Sequence, residues 1–501
     1  MRRPQRRDVV VAVALLSALG PATTHGQTID ELKHEIEGMK RQMRSMQEML
    51  ERQDATIKKL AGRERAAPAP KATAAAQKPA ATPTDSARAL DEAVAAAQGT
   101  KPGAAEPGGP ALAARSVGGA NLRLIDVSFD TLLAAGASTA DDAEIRQLQG
   151  GGHDPKRRGF TLQQAELSLA GAVDPYFTGQ AHIVFTDEEV ELEEAFMTTQ
   201  SLPYGLQVKA GQFLTEFGRI NPTHPHAWQW IDQPVVNTRM FGQDGLRNPG
   251  ARLSWLLPVP WFSQLYLGAQ QASGDTAASF IGDVGTPHDD DPALGVGLRP
   301  KIDRSVHDLG DLLYLARWEH GVALSESVEA KLGASALFGP NASGPNGDTR
   351  IYGGDAVVKW RPSDSFRGWP FLTWETEFMS RDFKADGVRN TAGALTLPGT
   401  TLHDWGLYTQ LLYGFAYGWA AGVRYEYVSG SGQSVGGREN DPLRDDRQRV
   451  APLISWRPTE FSRLRLQYDF DHADHLPGDH DASSVWFGIE ILYGTHPAHN
   501  F

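Results

Sequence analysis

The 501-residue chain contains no cysteine, which excludes a disulfide scaffold, a thiolate metal site and a cysteine nucleophile. Basic residues are also scarce: 48 Lys and Arg stand against 61 Asp and Glu, giving a formal net charge of −13. This balance argues against a nucleic-acid partner, because phosphate binding needs a basic surface. Long apolar runs are missing, and the mean hydropathy of −0.37 excludes a bundle of membrane helices. A membrane β-barrel remains open, since its strands are apolar on one face only.

Residues 1–26 have the pattern of a secretory signal peptide. Four arginines precede an apolar stretch at 9–19, and small residues at 24–26 offer a cleavage zone. The apolar stretch is too short to span a bilayer, so we expect cleavage near Gln27 and export of the mature chain.

Residues 27–60 and 61–120 differ sharply in pattern. Apolar residues recur at seven-residue spacing from Ile29 to Leu60. An isolated helix of this length is marginal in water, so we predict a short parallel coiled coil within a homo-oligomer. A helix packed on its own chain is the alternative. Residues 61–120 are rich in alanine and proline and are predicted to form a disordered linker.

Residues 121–501 change to a period of two. In one clear stretch, Tyr425 and Tyr427 share one face while Arg424 and Glu426 share the other. In a soluble sandwich the apolar face would be buried and the polar face would meet solvent. In a membrane barrel the apolar face meets lipid and the charged face lines water.

The pattern predicts sixteen strands whose connections alternate in length. The strands lie near 121–130, 160–172, 176–186, 189–199, 204–213, 249–257, 260–271, 310–320, 327–337, 350–361, 370–380, 401–413, 416–428, 447–456, 461–472 and 482–493. Tight turns follow strands 2, 4, 6, 12 and 14, and most odd-numbered strands are followed by long polar connections, as in outer-membrane barrels. The connection after strand 3 is an exception, because it is short. We therefore predict an all-β transmembrane barrel of about 16 antiparallel strands in the outer membrane of a Gram-negative cell, with fourteen or eighteen strands as alternatives.

Several segments resemble a known family. The stretches FTLQQAELSL at 160–169, VDPYF at 173–177, EEAF at 193–196 and LQVKAGQF at 206–213 resemble the phosphate-selective porin O/P superfamily. The stretches FGRIN at 217–221, HPH at 224–226 and HPAHNF at 496–501 resemble a branch often labelled zinc-regulated TonB-dependent outer-membrane receptor. The resemblance implies a sixteen-stranded trimeric porin with a coiled-coil leader. Only six lysines lie within 120–501, so we expect no phosphate preference.

The 214–248 connection is the third long loop, which in many sixteen-stranded porins folds inward and narrows the pore. Its candidate constriction residues are Arg219, His224, His226, Asp232, Arg239, Asp244 and Arg247. Opposed charges at such a place create a transverse field that orients polar solutes. The alternative is a loop packed on the rim with ordinary surface charges. His224 and His226 could also bind a metal if the segment is extended, or be hydrogen-bonded loop residues.

Two further sets of residues complete the candidate sites. The polar strand faces supply the predicted pore lining: Arg317, Glu319, Arg424, Glu426, Arg463, Arg465, Asp469 and Glu490. The last long loop holds the candidate metal ligands His472, Asp474, His475 and His480. Imidazole and carboxylate groups suit a weakly bound divalent metal such as Zn²⁺, and a solvated acidic loop is the alternative. We expect no other cofactor.

These features predict a homotrimeric outer-membrane porin, held together by the barrel and by a periplasmic coiled coil. It would allow passive diffusion of small hydrophilic solutes or ions, with a relation to metal ions as an open question. The expected partners are outer-membrane lipid, copies of the same chain and the solutes. The alternative is a structural tether between outer membrane and cell wall with an incidental pore. An enzyme is not expected, because pairs such as His403 and Asp404 have no discriminating spacing.

Overall fold

The computed structural model describes residues 125–187, 189–282, 294–390 and 392–494, together with the backbone of Ala114–Val117 and Ala120–Arg123. The predicted signal peptide and coiled coil, most of the predicted linker and the 496–501 motif lie outside the described residues. Among the helices that are described, none is long and apolar enough to cross a membrane.

Sixteen antiparallel strands close into one barrel, which confirms the predicted fold class and strand number. The barrel strands are β3 Asp126–Ser138, β4 Gly159–Ala172, β5 Phe177–Phe185, β6 Val190–Thr199, β7 Leu206–Leu214, β8 Arg247–Leu256, β9 Phe262–Gln270, β10 Leu313–Ser325, β11 Val328–Pro340, β12 Asp348–Trp360, β13 Phe371–Ala385, β16 Thr400–Ala416, β17 Trp419–Ser431, β18 Arg447–Thr459, β19 Ser462–Ala473 and β20 Asp481–Gly494. The hairpins β1–β2 (Ala114–Val117 and Ala120–Arg123) and β14–β15 (Val388–Arg389 and Leu395–Leu397) form two separate small sheets. Two short helices are α1 Asp142–Leu148 and α2 Val235–Phe241.

The barrel closes where β20 pairs with β3, with Tyr493 opposite Phe129. Most connections at one edge of the barrel are short and most at the other are long. The exceptions are the short link between β5 and β6 at the long edge and the connection 361–370 between β12 and β13 at the tight edge. The β16–β17 turn shows why glycine is needed at the tight edge. Gly418 has a φ of 79°, and an added Cβ would lie 2.7 Å from the Arg457 carbonyl oxygen. The turn therefore requires a residue without a side chain.

Burial in the barrel is the inverse of that in a soluble protein. Along β18, the charged side chains of Arg447 and Arg449 face inward and are buried, whereas Val450 and Ile454 face outward and are each 39% exposed. The same alternation of buried polar and exposed apolar residues runs along β19 and β20. An apolar exterior around a charged interior is the distribution of a barrel whose outer face meets lipid.

The main apolar core lies inside the barrel. Phe217, Trp228, Val236 and Phe241 come from the connection between β7 and β8, and they pack against inward-facing wall residues such as Leu337. The predicted pore lining consisted of charged residues, and no apolar core inside the barrel was predicted from the sequence. Long connections that fold inward must bury their own apolar side chains, and the inner wall offers small and apolar positions to receive them.

The outward face should tolerate charge poorly in lipid. Leu466→Arg, near the middle of β19 on the exposed apolar face, is expected to lower the free energy of unfolding by about 2–4 kcal/mol. Urea unfolding in lipid vesicles measures this loss. The matched control is Leu443→Arg, because Leu443 is similarly exposed but lies in a long connection that faces water. Equal losses in the two variants would contradict a lipid-facing barrel wall.

Candidate functional site

Residues 215–246, named here the luminal segment, run inside the barrel between β7 and β8. The Gly218 amide donates to Ser335 Oγ on β11 at 3.2 Å. Further along, the Ile231 amide donates to Gln467 Oε1 on β19 at 2.8 Å, and the Val235 amide donates to Glu426 Oε2 on β17 at 2.6 Å. Because β11 is well separated from β17 and β19 around the wall, the luminal segment crosses the lumen.

Buried arginines of the wall hold this segment in place. The Asp232 carboxylate accepts hydrogen bonds from Arg424 at 2.6 Å and from Arg449. Arg463 and Arg465 donate to backbone carbonyls of the luminal segment, each at 2.8 Å. A buried charge is tolerated only when it is paired or fully hydrogen-bonded. The predicted lining arginines of β17 and β19 therefore face inward but contact protein.

The other predicted lining residues also face inward. Arg317 pairs with Asp355 at 2.6 Å, Glu426 with Arg424 at 2.7 Å, and Glu490 with Arg463. Asp469 accepts from Gln467 at 2.8 Å. These four residues are buried. Their contact with water in the lumen stays a prediction.

One group of inward charges keeps partial exposure; we name it the Arg219 cluster, formed by Arg219, Glu319, Lys331 and Glu375. Arg219 Nε lies 3.5 Å from a Glu375 oxygen, and Lys331 Nζ lies 3.7 Å from a Glu319 oxygen. The side chains are 24% exposed at Arg219 and 52% exposed at Lys331. Both signs of charge meet here within reach of solvent, which is the arrangement that creates a transverse field.

A few residues further along, at His224 and His226, the luminal segment contacts a second set of charges, the histidine–carboxylate cluster. Its members are Asp130, Glu166, His182, Glu193, Glu194, His224 and His226. A β-bulge builds it: His182 pairs with Glu194 and Ile183 pairs with Leu192, which leaves Glu193 as the extra residue. Glu193 and Glu194 are consequently both buried, although they are neighbours in sequence. A bulge re-aims a side chain in this way.

Imidazole and carboxylate groups are in close contact within this cluster. His182 Nδ1 lies 2.7 Å from Glu166 Oε1, and His226 Nδ1 lies 2.9 Å from Asp130 Oδ2. His224 Nδ1 lies 2.9 Å from Glu193 Oε2, and its Nε2 lies 2.8 Å from a Glu194 oxygen.

Two predicted constriction residues lie beside the cluster. Arg247 contacts Glu193 at 3.1 Å and also Glu191. Asp244 is half-buried near the end of the luminal segment. The geometry thus separates the predicted set: Arg219 keeps solvent contact, the two histidines join the carboxylates, and Asp232 serves as an anchor.

The sequence interpretation missed five members of the histidine–carboxylate cluster: Asp130, Glu166, His182, Glu193 and Glu194. A signal for them exists in the adjacent pairs Gln163-Gln164 and Glu193-Glu194, which interrupt a period of two. Both pairs sit at register shifts of the ladder, and both are buried. In these two strands the adjacent polar residues coincide with a bulge, which turns both side chains toward the lumen.

The predicted metal ligands of the last long loop include two histidines that contact different carboxylates. His472 Nδ1 lies 2.7 Å from Asp481 on the exposed surface, and His475 Nδ1 lies 2.8 Å from the buried Asp445. The His472 and His480 rings meet edge to face with centroids 6.2 Å apart. Zinc binding by these residues with Asp474 stays a prediction.

The pair considered for an enzyme is split between two faces. His403 is exposed and lies 2.7 Å from Asp382. Asp404 is buried and pairs with Arg381 and Arg444, each at 2.7 Å.

Asp445 ties the luminal segment to the outer connection 432–446. Its carboxylate pairs with Arg239 of α2 and with His475. Burial raises the pKa of Asp445, but the hydrogen bond from His475 and the charge of Arg239 outweigh that effect and hold the pKa below its ordinary value of 3.8. A carboxyl group whose pKa is lowered by folding stabilises the fold at pH values above its unfolded pKa.

Asp445→Asn should leave the buried Arg239 guanidinium without a charged partner. We expect a loss of about 3 kcal/mol in the free energy of unfolding at pH 7. The difference from wild type should fade as the pH falls through the lowered folded pKa of Asp445, because the wild-type carboxyl is then protonated too. Urea unfolding of both proteins at pH 7 and at an acidic pH below the folded pKa of Asp445 measures this difference in stability. The control Asp382→Asn alters an exposed pair and should cost less than about 1 kcal/mol; an equal cost would refute a buried anchor.

Comparisons with known proteins place the chain beside one relative and several barrels. No family model matches it. Among solved structures, it is similar to the outer membrane channel DcaP of Acinetobacter baumannii (12% identity, TM-score 0.45, covering 74% of this chain and 97% of that chain). It is also similar to OmpT, an outer membrane protein of Vibrio cholerae (8% identity, TM-score 0.41, covering 74% and 97%). A protein of Aquifex aeolicus described as uncharacterized is 32% identical over 381 residues, which cover 72% of this chain and 76% of the relative. The chain belongs to the same family as this Aquifex aeolicus protein.

Proposed function

We propose that the protein is an outer-membrane channel for the passive diffusion of small hydrophilic solutes or ions. The observation that carries the proposal is the closed barrel with exposed apolar side chains outside and charged side chains inside. Charged side chains that face the interior, and that stay partly exposed in the Arg219 cluster, are consistent with a lumen that admits water or polar solutes.

The luminal segment narrows this channel. It crosses the lumen and fills the part beside β17–β20, where Trp228 and Trp230 are buried against the wall. The polar path then runs past the Arg219 cluster, where charged side chains keep solvent contact. Solutes pass between opposed charges, which favours polar and dipolar molecules over apolar ones.

Ion preference at this place is expected to be weak. Arg219 and Lys331 face Glu319 and Glu375 in the same cluster, so positive and negative groups are balanced. Membership of the phosphate-selective porin superfamily stays a proposal that rests on the sequence resemblance. No preference for phosphate is expected, and a strong anion preference would contradict this expectation.

A structural tether is the rival function. The contacts of the luminal segment with β11, β17 and β19 favour it to the extent that they obstruct the lumen. A tether tolerates a silent barrel, whereas a channel must conduct. The homotrimer and the periplasmic coiled coil belong to either proposal.

Replacing residues 222–241 by a short Gly/Ser linker should raise single-channel conductance about two-fold or more, because it removes the segment that narrows the lumen. Planar-bilayer recording measures this. The control replaces residues 388–397, the β14–β15 hairpin outside the barrel sheet, and should leave conductance unchanged. A wild-type protein that never conducts would support the tether instead.

Lys331→Glu should shift the reversal potential in a KCl gradient toward cations, because it turns a partly exposed inward positive charge into a negative one. Lys384→Glu is the matched control: its side chain is 58% exposed against 52% for Lys331, but it lies on the outward face of β13. Equal shifts in both variants would place the conduction path away from the Arg219 cluster.

A further inference from the structure

We propose that the histidine–carboxylate cluster binds a divalent transition-metal cation of the Zn²⁺ class, with Glu166 as the central ligand. The cation would join strands β3–β6 of the wall to the luminal segment through His224 and His226. The inference concerns a resident ion, and it does not depend on whether the barrel conducts.

The distances between the candidate ligand atoms are close to those between the ligands of a bound metal ion. Two groups, Glu166 with His182 and His224, and Asp130 with Glu166 and His226, each bring their donor atoms within 4.8 Å of one another. Glu166 Oε2 lies 3.5 Å from His224 Nδ1 and 3.3 Å from His226 Nδ1. Tetrahedral ligands at about 2.1 Å from zinc are about 3.4 Å apart.

The orientation of His224 points to a cation at its Nδ1 atom. Its Nε2 contacts a Glu194 oxygen at 2.8 Å, so Nε2 carries the proton that this carboxylate accepts. Nδ1 then directs its lone pair at Glu193 Oε2, 2.9 Å away. Both atoms are buried and lack an aligned hydrogen bond. A carboxylate that orients the far nitrogen of an imidazole is the usual support of a metal-bound histidine.

The excess of buried carboxylates over cationic side chains also indicates a cation at this cluster. Four carboxylates, those of Asp130, Glu166, Glu193 and Glu194, are buried in the cluster. Arg247 supplies one guanidinium and shares it with Glu191. The remaining negative charge needs protonated imidazoles or a bound cation, since buried carboxylates are stable only when compensated. Neutral imidazole with carboxylate suits Zn²⁺ and its neighbours better than Ca²⁺ or Mg²⁺, which prefer oxygen ligands.

The test uses the full-length protein in detergent, stripped with EDTA and titrated with Zn²⁺. We expect at least one equivalent of zinc per chain by elemental analysis. X-ray absorption of the zinc-loaded wild type should show imidazole and carboxylate ligands. Glu166→Gln and His224→Ala should each weaken zinc binding by about 100-fold or more, as expected when a ligand is lost.

The control is the double variant His472→Ala/His480→Ala, which removes two imidazoles of the competing outer loop and should leave affinity unchanged. Three results would overturn the proposal: no zinc bound by the wild type, a ligand shell without imidazole, or affinity lost in the control but kept in Glu166→Gln. If the cluster variants fail to fold, the outer-loop double variant decides the question: zinc bound there with unchanged affinity by imidazole and carboxylate ligands supports the cluster, and lost affinity overturns it.

Discussion

The pairing of buried charge inside a lipid-facing cylinder governs the rest of this structure. An outer face that contacts hydrocarbon must be apolar, so most charged side chains in the middle of the strands turn inward. Once the luminal segment covers them, each needs a partner within hydrogen-bond distance. Asp232, held by Arg424 and Arg449, and the carbonyls held by Arg463 and Arg465 are direct results of this requirement.

Two neighbouring parts of the luminal segment contact different charged groups for the same reason. At Arg219 the partners are carboxylates that keep solvent contact. At His224 and His226 the partners are buried carboxylates in excess over the cationic side chains. The proposed polar path and the proposed cation site therefore involve different side chains of one lumen.

Much of the barrel could be predicted from the sequence, because a lipid-facing strand must alternate with a period of two. Val450 and Ile454 against Arg447 and Arg449 show that rule in β18. The alternation of short and long connections along the chain also predicted which edge of the barrel carries most of the tight turns.

The contents of the lumen could not be predicted in the same way. Nothing local distinguishes Trp228 or Val236 in a loop from exposed residues, because their burial depends on strands far away in sequence. Asp445 likewise acquires its partners Arg239 and His475 only through long-range packing. The bulge at Glu193 breaks the very alternation from which the strand was recognised, so the cluster it builds was missed.

The bonds of the luminal segment also constrain the order of assembly. Gln163 of β4 donates to the Ile231 carbonyl at 2.9 Å, whereas Gln467 of β19 receives the Ile231 amide. One residue thus joins wall elements that are translated at opposite ends of the barrel domain. The luminal segment therefore cannot complete these contacts until β19 has formed, although Ile231 precedes Gln467 by 236 residues in the chain.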